Sequence, residues 1–222
     1  MKKSKQEWFI RHGAFFLGLI IMALGIVLTI KADLGVAPWD VLHIGLYYQF
    51  GLTIGSWSII IGIFILAISS LIMKSWPKYG SFLNMLLVGI FIDFFMLLPF
   101  LQTPSVFFGK LLMLLIGVVI LAFGMGLYIS GSIGAGPRDS LMLAFHLKMG
   151  WKVQNVRLCM EVMVLFIGFL LGGPVSIGTL IVTVALSYLA GFMIPFCRKL
   201  TDRFVATISL RPKTIINTKD IA

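Results

Sequence analysis

Apolar residues run in six stretches long enough to cross a bilayer, at 13–30, 54–73, 80–98, 108–129, 153–171 and 177–196. A hydrocarbon core about 30 Å thick is spanned by about 20 residues of helix. Two shorter apolar pieces, 38–50 and 137–149, fall after the first and fourth of these stretches. At about 1.5 Å per residue each would extend roughly 18–20 Å as a helix, too short to cross. The pattern predicts an all-α polytopic membrane protein: six transmembrane helices plus two short broken or re-entrant ones.

The short pieces are introduced by the same sentence written twice. Residues 23–42 read ALGIVLTIKADLGVAPWDVL, and 122–141, ninety-nine positions on, read AFGMGLYISGSIGAGPRDSL. Gly25/Gly124, Leu28/Leu127, Ile30/Ile129, Gly35/Gly134, Pro38/Pro137 and Asp40/Asp139 are among eight identities without a gap. Upstream, Gly18/Gly117 and Ile21/Ile120 extend the match. A repeat of this kind fixes architecture before other features are weighed. Within it, glycine permits a sharp turn, proline suits the first position of a new helix, and the aspartate two residues later falls in the first turn, where it complements the dipole. The unit reads as span, break, short helix.

Composition names the solvent. Hydrophobic residues make up 59% of the 222 and charged residues 12%, about half the charge of a soluble domain, so the outer surface faces lipid. The net charge of +10 is spread over span ends, which marks topology and not a nucleic-acid face. With the N-terminus cytoplasmic, the inner side collects Lys2, Lys3, Lys5, Arg11, Lys74, Lys78, Arg138, Lys148, Lys152, Arg198, Lys199, Arg203, Arg211, Lys213 and Lys219, and the outer side only Lys31 and Lys110. This bias predicts that both termini are cytoplasmic. The first stretch reads as a retained anchor and not a cleaved signal.

Six crossings also make the two copies run in opposite directions, a 3+3 inverted-topology repeat. The organisation is then an N-terminal cytoplasmic tail (1–12), a first three-helix repeat (13–99), an external loop (100–107), a second repeat (108–197) and a basic cytoplasmic tail (198–222). Gly80-Ser81 answers to Gly178-Thr179, and Pro99 roughly to Pro195.

In hydrocarbon a broken helix is tolerable only where protein or a wet cavity covers its free backbone groups, and inverted repeats use such breaks to surround a midplane site. The candidate substrate-binding residues are therefore Gly35, Trp39 and Asp40 with Gly134, Arg138 and Asp139. Two readings stay open for the aspartates: ordinary caps at the membrane surface, or lining of a cavity. Arg138, which stands where the first copy has Trp39, is either a topology charge or an anion clamp beside a helix N-terminus. Intramembrane polar residues default to functional candidates. Arg157 and Glu161, four apart, share a helix face and can pair; Glu161 lies about 12 Å along the helix from Val153. Asp93 reaches toward the outer interface, and Asn84 lies near the other end of its span. His43 and His146 read as hydrogen-bonded interfacial residues. Cys159 and Cys197 read as buried, inert thiols. Trp8, Trp57, Trp76 and Trp151 sit near span ends as anchors. No metal-ligand spacing, cofactor motif or catalytic signature such as G-x-S-x-G, H-E-x-x-H or a Walker loop occurs, so no metal, cofactor or enzymatic activity is expected.

At these residues the chain resembles the YczE/YyaS/YitT family of bacterial integral membrane proteins. LGVAPWDVLHIGL (34–46) is similar to that family's glycine-x-x-proline-tryptophan-aspartate segment. GGPVSIGT (172–179) and the run from Gly80 through Asn84 to Asp93 are similar to its later glycine-rich and polar positions. The likeness covers about 12–197 and implies a multi-pass plasma-membrane protein with no firmly assigned activity. The expected function is a small-molecule or ion transporter, or the membrane-embedded binding subunit of one. The alternative is a non-transporting scaffold or regulator with a membrane-protein partner. The bilayer and an unidentified small molecule are the expected partners, nucleic acid is not.

Overall fold

The computed structural model describes residues 5–209. Among them are eight helices and no strand: α1 (Lys5–Lys31), α2 (Pro38–Phe50), α3 (Ile54–Met73), α4 (Tyr79–Met96), α5 (Phe107–Ser130), α6 (Pro137–Met149), α7 (Val153–Leu170) and α8 (Ile177–Ser209). All but α2 and α6 are long and apolar enough to cross a membrane. Each of the two short helices has proline in its first turn and a loop before it, and Ala37 and Gly136 stand at their N-caps with no side-chain cap.

Two ends differ from the sequence reading. α1 begins at Lys5, eight residues before the apolar stretch. Its first turns hold through Arg11, which pairs with Glu7 one turn back at 2.8 Å, and through Trp8 stacked on His12. α8 passes through Pro195 and continues past 196. The proline removes one backbone hydrogen bond, and contacts beyond it keep the helix going. Buried Cys197 lies against Gly126, Thr201 meets Ser130 at 2.7 Å, and Asp202 accepts from Arg11. The expected tails 1–12 and 198–222 are thus partly helical. Lys2, Lys3, Arg211, Lys213 and Lys219 lie outside the described residues.

α1 and α5 cross antiparallel at the centre. Their backbones approach closely because glycine stands at the crossing: Gly18 lies against Tyr128, Gly117 against Thr29, Gly25 against Leu121 and Gly124 against Met22. Shifting each number by ninety-nine turns the first contact into the second and the third into the fourth. α2 packs on α7 and α3 on α6, pairs that exchange under the same shift. The core fills this crossing with Phe15, Leu19, Ala23, Val27, Val41 and Ile92, all nearly inaccessible. Fully burying one such aliphatic or aromatic side chain is worth about 1.5–3 kcal/mol.

The breaks are built alike. Asp33 and Ser132, ninety-nine apart, both take positive φ (53° and 55°). Gly35 follows with φ +114° and lies so close to Ser176 and Thr179 that a Cβ would meet the Thr179 nitrogen at 2.5 Å. Gly134 abuts the start of α4 in the same way, and a Cβ there would be 2.7 Å from the Ser81 nitrogen. Of the two cysteines, Cys197 is buried but Cys159 is exposed, because α7 turns that face outward; the expectation of two buried thiols is corrected.

Candidate central cavity

α2 is sunk into the bundle. From Gly35 through Gly45 every residue is buried, and exposure returns only at Tyr47. α6 is more open along its length, with Leu141 and Ala144 its buried residues. Their first turns line the same cavity, of about 120 Å³, together with α1, α3, α4 and α5. Trp39 and Asp40 enter it from α2, Arg138 and Asp139 from α6, and Asn84 from α4. Met22, Ile26, Val88 and Met125 supply apolar wall. Asp40 and Asp139 therefore lie on one interior space and not at separate surfaces.

The polar groups are unevenly satisfied. Asp139 Oδ2 accepts from the Tyr128 hydroxyl at 3.0 Å. Asp40 Oδ1 has no hydrogen-bond partner although its side chain is almost wholly buried. His43 Nδ1 stands 3.7 Å from it and also lacks a hydrogen bond, as does Asn84 Nδ2. A buried polar atom left unpaired costs about 1–3 kcal/mol, more when charged, and three such atoms line this cavity. The Arg138 guanidinium carbon lies 4.5 Å from the centroid of the Trp39 ring. At that distance the ring face attracts the cation. Arg138, counted among the inner-surface charges in the sequence, faces this interior space instead.

A second cavity of about 110 Å³ adjoins the first and shares Trp39, Arg138 and Asp139. Arg157 and Glu161 line it and pair as their spacing predicts, at 2.9 Å. A third, of about 320 Å³, lies beside the first break and is lined by Ile30, Val36 and Ile44 with Asp33, Gly35, Tyr47 and Ser176. There the Ser176 hydroxyl donates to the Leu34 carbonyl, tying the first break to the α7–α8 loop.

The structure gathers Trp39, Asp40, Asn84, Arg138 and Asp139, with Arg157 and Glu161 next door. It does not gather the others. Gly35 and Gly134 shape the breaks from behind. Asp93 lies at the far end of α4, where Oδ1 accepts from the Gly55 N–H at 2.8 Å and Oδ2 from the Thr53 hydroxyl at 2.5 Å. It caps the start of α3 across the chain.

Two titratable lining residues, His43 and Tyr128, were missed. His43, expected at an interface, is wholly buried on the cavity; its place three residues after Asp40, on the same helix face, was the available signal. Tyr128 had none, because its partner Asp139 lies on the next helix, beyond the loop between α5 and α6. His146 stays outside, against the Trp151 carbonyl at 2.8 Å. Among the described residues no cluster of three or more His, Cys, Asp or Glu could hold a metal.

Comparison with known proteins agrees on kind. A family of unknown function, DUF6198, matches residues 9–196. The chain is 45% identical over 204 residues to the uncharacterised membrane protein YczE of Bacillus subtilis (strain 168), covering 91% of this chain and 94% of that one. It is 30% identical over 188 residues to an uncharacterised protein of Haemophilus influenzae, 82% of each. Against uncharacterised YyaS of Bacillus subtilis it is 29% identical over 169 residues, 74% of this chain and 83% of that one. No solved structure matches the chain. With residues 9–196 matched and a relative aligned over nearly its whole length, this multi-pass membrane protein belongs to the DUF6198 family.

Proposed function

We propose that the protein is a transporter of a small polar solute in the bacterial plasma membrane, with both termini cytoplasmic and its binding site in the central cavity. The observation that carries the reading is that the first turns of two short helices, one from each copy of the repeat, line one buried cavity with unpaired polar atoms. The architecture proposed is a 3+3 inverted repeat in which α2 and α6 enter from opposite sides and stop midway. Contacts that exchange under a shift of ninety-nine support it: Gly18 on Tyr128 with Gly117 on Thr29, and Gly25 on Leu121 with Gly124 on Met22. So does the meeting of Trp39 with Arg138. Residues at equivalent positions of two copies touch each other only where a two-fold axis passes between them. The positive-inside bias stands without Arg138.

A transporter exposes its central site to each side in turn; a scaffold has no need to. The test uses Val88→Cys in a background carrying Cys159→Ala and Cys197→Ala, in right-side-out and inside-out vesicles. An impermeant thiol reagent should label Val88→Cys from either face, at rates that differ. Labelling from one face only, or from neither, removes the transport reading in favour of the scaffold.

A further inference from the structure

We infer that the central cavity takes a small zwitterion, carrying an ammonium and a carboxylate on one short carbon frame. The inference rests on the same cavity as the transport reading and adds the class of solute.

Charge decides the class by elimination. A simple anion would meet Arg138 but also the unpaired carboxylate oxygen of buried Asp40, with Asp139 beside it. A simple cation would suit Asp40 and meet the Arg138 guanidinium. A neutral solute would leave Asp40 and Arg138 facing each other across the cavity with Asp40 Oδ1 still lacking a hydrogen bond, a costly condition for a buried carboxylate. A molecule bearing both charges answers each group. Its ammonium reaches the free Asp40 Oδ1, with His43 Nδ1 alongside as an acceptor in one tautomer. Its carboxylate takes the N–H groups of Arg138, which lies over the Trp39 ring, and the unpaired amide nitrogen of Asn84. All three orphaned atoms are thereby satisfied, and Asp139 keeps its bond from Tyr128.

Size limits the frame. A cavity of about 150 Å³ holds a six-carbon ring, so about 120 Å³ admits a solute of roughly five or six non-hydrogen atoms. Met22, Ile26 and Val88 can cover one or two carbons. A neutral amino acid the size of alanine fits, and a longer side chain would have to extend into the adjoining cavity of about 110 Å³.

The experiment is binding of radiolabelled alanine to the purified full chain, with unlabelled competitors. Alanine should displace the label. Ethylamine, propionate and propionamide, which keep one charge or none, should be at least about a hundredfold weaker, as sites that pair buried polar groups reject analogues lacking them. Asp40→Asn and Arg138→Gln should each lower alanine affinity at least about a hundredfold, while the distant Asp93→Asn leaves it unchanged. Size-exclusion elution of each variant checks its fold, and the competition series needs no variant. Absence of alanine binding, or competition by a single-group analogue within about threefold of alanine, overturns the inference. If Val88→Cys is nevertheless labelled from both faces, the transport reading survives with another solute. If alanine binds but labelling is confined to one face, the ligand class stands and transport falls.

Discussion

The two breaks are each clamped by glycine on glycine, and this makes a prediction about coupling as well as stability. Gly35→Ala places a Cβ 2.5 Å from the Thr179 nitrogen at φ +114°. The backbone strain is about 1–2 kcal/mol and the forced separation about 1–3 kcal/mol. Gly178→Ala drives a methyl into the Leu34 carbonyl on the same seam, again about 1–3 kcal/mol. Once one methyl has pried the seam open, the second meets less resistance. The double variant should therefore be less destabilised than the two singles together, by at least about 1 kcal/mol. Gly80 and Gly134 should behave likewise, since a Cβ on either falls 2.7 Å from the other's backbone. Gly35→Ala with Gly134→Ala, at opposite ends of the α1–α5 crossing, should add within about 0.5 kcal/mol. The measurement is unfolding in graded mixtures of SDS and mild detergent, followed by tryptophan fluorescence. Strict additivity within a seam, or strong coupling between the two seams, would refute the clamp as drawn.

Asp93→Ala removes two bonds from the start of α3 and should lower the melting temperature by about 4 °C, from a loss of about 1–2 kcal/mol at a half-exposed site; an unchanged melt would mean that α3 does not rely on this cap. Tyr128→Phe deprives Asp139 of its hydroxyl donor and should destabilise by about 2 kcal/mol, read in the same SDS titration, whereas Tyr188→Phe, at an exposed position, should be silent; equal effects would count against the Tyr128 bond. Ile44 lines the third cavity and belongs to the core cluster that includes Ile26 and Val88 of the central cavity wall, so Ile44→Ala should speed labelling of Val88→Cys from the α1–α2 loop side several-fold while leaving the other side unaltered. Equal acceleration from both sides would place the barrier elsewhere.

The helices could be read from composition and length because a spanning helix must satisfy its backbone internally over a fixed thickness. Even the short helices were legible: 38–50 and 137–149 are the residues of α2 and α6. The ends that failed, at Lys5 and beyond Pro195, are held by side-chain bridges such as Arg11 to Asp202, which join residues far apart in sequence. The cavity was half legible. Repetition marked Asp40 and Asp139 by position, and the Arg157–Glu161 spacing announced its own pair. Asn84 looked like one polar residue among several, and nothing separated it from Asp93. Only the fold turns Asn84 inward and sends Asp93 to cap a neighbour. His43 and Tyr128 were hidden because burial is decided by what packs against them, and their partners lie on other segments.

Under the proposed duplication, the cavity's chemistry comes from the places where the copies differ. A perfect two-fold pair would put the same side chain on both sides of the axis: two arginines repelling, or two tryptophans facing with no charge to offer. Here Trp39 meets Arg138, so one copy supplies the surface and the other the cation. His43 has Met142 as its counterpart, and Asp40 Oδ1 has only His43 at 3.7 Å where Asp139 accepts a hydrogen bond from Tyr128. The shared glycine, proline and aspartate keep both helix starts aimed at one point. The substituted neighbours then give that point a charged end and an open carboxylate end. A symmetric cavity would bind a solute equally well in two orientations. This asymmetry fixes one, and restoring Trp39→Arg or Arg138→Trp should abolish solute binding while leaving the glycine seams, and so the melting temperature set by them, largely intact.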